Sequence, residues 1–183
     1  MCAVSILLSS CQEGRRYYYS WIDFNIEIID NSTTFGQEMI YLDVNNPIAI
    51  AKLGIRIRPV FDMTVSRGGT FSIGSCPRAI RLHNITSIVI KTISENADAG
   101  IDVSSLFKGR LFGVWQPSEL SIVELIELFS RLGFCGEGFR QVGFDLLLRD
   151  DSIDLRGKHI FEITITFDDG VVLVQETEEL ELV

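Results

Sequence analysis

The chain has 183 residues, which suits one domain or at most two small ones, and a domain of this size hides roughly 70% of the surface of its unfolded chain without a structural metal. Hydrophobic residues make up 46% and charged residues 22%, values that exclude a disordered chain. Against 16 Lys and Arg stand 25 Asp and Glu, a net charge of −9, and so acidic a chain repels phosphate backbones, which excludes general nucleic-acid binding.

The first element is an apolar run from Ala3 to Leu8 that closes with Leu8-Ser9-Ser10-Cys11. This closing tetrapeptide resembles the lipobox of bacterial lipoproteins. Small side chains suit a signal peptidase at the scissile bond, and a thiol is needed for the thioether to diacylglycerol. The resemblance implies a signal segment over 1–11, lipidation of Cys11 and a membrane partner through the lipid anchor. The competing reading is a buried first strand with a core cysteine. Residues 12–19 then read as a tether in which Arg15, Arg16 and three tyrosines suit an anionic interface, unless the tyrosines begin the first strand. A β domain is expected over 20–183.

Within that domain, Ile22, Phe24, Ile26 and Ile28 alternate with Asp23, Asn25 and Glu27, the period-2 pattern of a half-buried strand. Met39 to Val44 is a weaker strand. In "GIRIRPVF", Ile55 and Ile57 face one way and Arg56 and Arg58 the other, and Pro59 confines the strand to an edge or an end. "TFSIGS" is short, and Ile85 to Ile93 is longer. Residues 94–104 read as loop, followed by a strand from Phe107 toward Trp115.

The single helix is "LSIVELIELFSRLGF". Ser121 and Glu124 make a capping box, Leu120 and Leu125 a hydrophobic staple, and Gly133 the stop. Ile122, Leu125, Ile126, Phe129 and Leu132 form its core-facing stripe. After a glycine-rich connection come the strand "VGFDLLL" and then "HIFEITITF", with Phe161, Ile163, Ile165 and Phe167 inward. Asp169-Gly170 predicts a two-residue type I′ turn, which would return Val172 and Val174 on the face of Phe167 and Ile165. Seven to nine strands, one short amphipathic helix and no strand–helix alternation predict a mainly β protein: an antiparallel β-sandwich, immunoglobulin-like.

Taken together, the lipobox, Cys76-Pro77, "ITSIVIKT", "AGIDVSSLF" and "FEITITFDDGVVL" resemble small uncharacterised lipoproteins of Bacteroidetes bacteria. The resemblance implies an outer-membrane address, on the periplasmic or the cell-surface face, and no catalytic residues. If Cys2 leaves with the signal and Cys11 takes the lipid, Cys76 and Cys135 remain. In an oxidising compartment they form either a disulfide or two free thiols. Asp151-Ser152-Ile153 is similar to the O-glycosylation acceptor of these bacteria, with Ser152 the acceptor.

Chemistry-bearing motifs are sparse. His83 and His159 lack the spacing of a zinc site, and no Gly-x-Ser-x-Gly elbow occurs. Asp145, Asp150, Asp151 and Asp154 read as a solvated acidic loop rather than a calcium site, as do Asp168 and Asp169. No catalytic residue, metal or cofactor is expected. Trp21 and Trp115 are the candidate binding aromatics. The expected function is a lipid-anchored, non-catalytic binding or accessory module of the envelope, with a glycan or an envelope protein as partner. The alternatives are an envelope hydrolase and a structural subunit of a surface fibre.

Overall fold

The computed structural model describes residues 15–32, 39–67, 78–94, 100–112, 119–132, 134–135, 142–150 and 153–183. They form eleven strands and one α-helix: β1 Arg15–Asp30, β2 Leu53–Arg67, β3 Arg78–Arg81, β4 Ile85–Ser94, β5 Ile101–Asp102, β6 Phe107–Phe112, α1 Ile122–Arg131, β7 Phe134–Cys135, β8 Gly143–Leu148, β9 Gly157–Phe167, β10 Val172–Glu176 and β11 Leu180–Leu182. The strands make a six-stranded sheet in the order β6-β8-β2-β1-β3-β7 and a second sheet in the order β10-β9-β4-β5, with β11 beside the start of β9. All pairs are antiparallel except β1 with β3. The fold is a β-sandwich.

Alternation builds the core between the sheets. Ile55 and Ile57 of β2, Phe144 and Leu146 of β8, and Phe24 and Ile28 of β1 share one buried cluster with Ile88 and Ile90 of β4 and Phe161, Ile163 and Ile165 of β9. Both halves of the capping box form at the start of α1: the Ser121 side chain accepts from the Glu124 N–H, and the Glu124 carboxylate accepts from the Ser121 N–H. Leu125 and Phe129 are the buried residues of the helix. The helix comes close to β6 because residue 109 is glycine, where a Cβ would stand 2.3 Å from Leu125 Cδ2.

Four expectations are corrected. First, β1 begins at Arg15, so residues 15–19 are strand rather than tether, and Tyr19 is buried. Second, the β1–β2 register shifts between Trp21 and Asp23. This bulge turns Ile22 out to solvent, 55% exposed, and Trp21 into the core, 5% exposed. A bulge inserts one residue and so reverses the facing of what precedes it. Trp21 is therefore a core residue and no binding aromatic.

Third, the β9–β10 turn has three residues, not two. Phe167 N–H bonds to Val171 O, and Gly170 alone takes a positive φ, 86°. A type I′ turn would need positive φ at Asp169 as well. The extra residue slips the register by one, pairing Val172 with Thr166 and Val174 with Thr164. Both valines consequently lie on the outer face and are about half exposed, because a one-residue slip moves every side chain to the opposite face. Fourth, Asp145 does not belong to a solvated loop. It sits in β8, a strand buried along its whole length, with 0% exposure.

Pro59 obeys its rule in a local form. Pairing of β2 with β8 ends at Ile57, and from Pro59 onward β2 pairs with β1 among the described residues.

Candidate functional site

The outer face of the six-stranded sheet carries the densest polar construction in the described residues. Three strand pairings place Glu27, Arg56, Asp145 and Arg110 in one row across β1, β2, β8 and β6. The signs alternate across that row. Arg56 grips Asp145 in a bidentate fork, Nε to Oδ1 at 2.6 Å and Nη2 to Oδ2 at 2.9 Å. Arg110 approaches from the opposite strand, Nη2 to Oδ2 at 2.9 Å and Nε at 3.3 Å. Although they lie on the face away from the sandwich core, Arg56 is 7% and Arg110 9% exposed. Burial alone would lower the Arg56 pKa, but the hydrogen bonds and charge of Asp145 outweigh it and the pKa is raised.

The next row is built by an aromatic. Phe112 stands opposite Gly143 in the β6–β8 pair, and a Cβ at residue 143 would lie 2.5 Å from the Phe112 ring. Glycine thus lets the ring cross β8. The Arg56 guanidinium sits 4.3 Å from the ring centroid and that of Arg58 5.3 Å, within the range of cation–π attraction. Arg58 also bonds to Glu27 at 2.6 Å and donates to the Tyr41 hydroxyl at 2.8 Å. Its side chain is 40% exposed and Tyr41 is 52% exposed. Lys108, exposed on the same face of β6, adds a further cation. Four cations thus share this face with the carboxylates of Glu27 and Asp145, on a chain whose net charge is −9.

Beyond this lattice, Arg149 holds Glu119 at 2.6 and 2.8 Å and donates to Asn31 O. These hydrogen bonds keep the Glu119 carboxyl below its usual range. Arg149 also lines an open cavity of about 820 Å³ with Ile50, Leu148, Leu155, Asp154 and Arg156.

The two histidines are apart. His159, on β9, meets Thr92 Oγ1 through Nδ1 at 2.8 Å. His83 lies in the turn after β3, not on a strand, beside Asp168 and Asp169. Cys11, Cys76, Trp115 and Ser152 lie outside the described residues. Cys135 is described in its backbone, which pairs with Arg78 across β7 and β3. The arginine lattice was not anticipated as a site. Its one sequence signal is the pair Arg56 and Arg58 on the face opposite Ile55 and Ile57, and nothing local announces that Asp145 meets them.

Compared with protein-family models, curated proteins and solved structures, the chain matches none.

Proposed function

We propose that the chain is a lipid-anchored, non-catalytic binding module of a bacterial envelope, of the kind the Bacteroidetes resemblance implies, and that it recognises an acidic glycan or peptide on the outer face of its six-stranded sheet. The observation that carries this reading is the accessible end of the lattice, where Arg58 stands beside Phe112 and bonds to Tyr41, and Lys108 is exposed on the same face. The buried Arg56–Asp145–Arg110 pairs back this end. A scaffold needs no such lattice, since replacing buried ion pairs by apolar residues is often neutral or stabilising. The Arg58 guanidinium at its exposed end, held in place by Glu27 and the Tyr41 hydroxyl, is a cation of the type that binds carboxylates. Arg58 and Tyr41 are the accessible contacts.

Titration calorimetry with oligogalacturonate tests the ligand class. Binding is expected to weaken at least tenfold in Arg58→Ala and to fall as salt rises. No binding by the wild type to this ligand or to a poly-glutamate peptide would overturn the reading.

The anchor is tested separately. Strand β1 starts four positions after Cys11, a span of about 14 Å at most, so an acyl chain there would hold the sandwich close to the bilayer. Cys11→Ala is expected to move the protein from the membrane pellet to the soluble fraction. Retention of the variant in the pellet after a high-salt wash would overturn the anchor.

A further inference from the structure

Away from the arginine lattice, two connections meet at one end of the sandwich. The first is the turn containing His83 and Asn84, where the chain crosses from β3 in one sheet to β4 in the other. The second is the three-residue loop between β9 and β10. His83 Nδ1 lies 3.5 Å from Asp168 Oδ1 and 3.3 Å from Asp169 Oδ2, and one ligand atom from each residue falls within 4.8 Å of the other two.

These distances are long for hydrogen bonding. Good N–H···O contacts span about 2.7–3.2 Å, and Nδ1 carries one proton at most, so it cannot serve two carboxylates well. The two histidine–carboxylate distances match a shared cation. Ligand atoms about 2.0–2.2 Å from a tetrahedral zinc ion stand about 3.3–3.6 Å from one another. The remaining oxygens are already fastened: Asn84 Nδ2 donates to Asp168 Oδ2 at 3.0 Å, and the Val171 N–H donates to Asp169 Oδ1 at 3.1 Å. Asp168 N–H also bonds to Asn84 O at 2.9 Å, which joins the two connections by their backbones. Outer contacts of this kind orient metal-binding groups before the ion arrives.

We propose that His83, Asp168 and Asp169 form a binding site for a divalent transition ion of the zinc type. One imidazole and two carboxylates favour such an ion over calcium, which takes oxygen ligands. The side chains are 38%, 41% and 29% exposed, so the remaining positions on the ion are open to water or to a group from outside. The two carboxylates neutralise the charge of the ion. Bound there, it ties the sheet-crossing turn to the hairpin and raises the melting temperature.

The site is independent of the anchor and of the arginine face. Its test uses the full chain, stripped by chelation and with any free cysteines alkylated so that thiolates do not compete. Calorimetry with Zn²⁺ is expected to give one ion per chain and a higher melting temperature. His83→Gln should abolish binding, and Asp169→Asn should weaken it at least tenfold. All three residues are partly exposed, so both variants should keep the far-UV circular dichroism of the parent. Failure of the parent to saturate, undiminished affinity in His83→Gln, or Ca²⁺ binding as tight as Zn²⁺ would each overturn the proposal.

Discussion

Asp145→Asn is expected to destabilise the fold by about 3–5 kcal/mol, because it takes from the buried Arg56 the carboxylate that grips it in a bidentate fork, and removes one of the groups that hold Arg110. That is a large part of a domain's usual stability of about 5–15 kcal/mol. The loss should appear as a lower urea midpoint at an unchanged slope. A triple variant, Arg56→Met with Asp145→Leu and Arg110→Met, is the informative control. It removes both charges together with their partner, and it should recover most of the loss. If the triple variant folds as well as the wild type and still binds the acidic ligand, the lattice is scaffolding. If it folds and no longer binds, the charges are kept for recognition. A cost below 1 kcal/mol for Asp145→Asn alone would mean that water reaches the pair and screens it.

What could be read from the chain was what is local. The α1 helix carries its start signal, its stripe and its cap within a dozen residues, and it forms as expected over Ile122–Arg131 with both capping-box bonds. The inward set of β9 was equally legible, because alternation over Phe161, Ile163, Ile165 and Phe167 has no competing period, and all four are buried. Facing was lost wherever a single residue was inserted. The bulge at Ile22 and the third loop residue before Val171 each shift the period by one, and no local preference for β structure reports an insertion. The lattice was illegible for a different reason. Asp145 lies next to Phe144 in a strand of apolar neighbours, and its partners come from β2 and β6. Only the strand order of the sheet makes them adjacent. The same holds for His83, which meets Asp168 and Asp169 because a crossover and a hairpin share one end of the sandwich.

Trp21→Ala is expected to cost about 3–5 kcal/mol, the range for emptying a large aromatic site in a packed core. The indole is surrounded by rings, with centroids 6.0 Å from Phe61, 6.0 Å from Phe129, 5.7 Å from Phe144 and 6.0 Å from Phe167. It joins β1 to β2, α1, β8 and β9, so its loss opens a void that no single element can close. Trp21→Phe separates volume from polarity. The Trp21 Nε1 hydrogen is buried without a partner, and an unmade hydrogen bond of this kind costs about 1–3 kcal/mol. Phenylalanine gives up part of the ring packing but also removes that burden, so its net cost should be well below that of alanine. An exposed binding aromatic would behave otherwise, with both substitutions falling within about 0.5 kcal/mol of the wild type. Urea midpoints of the two variants decide between these outcomes, and equal, small shifts would return Trp21 to the surface.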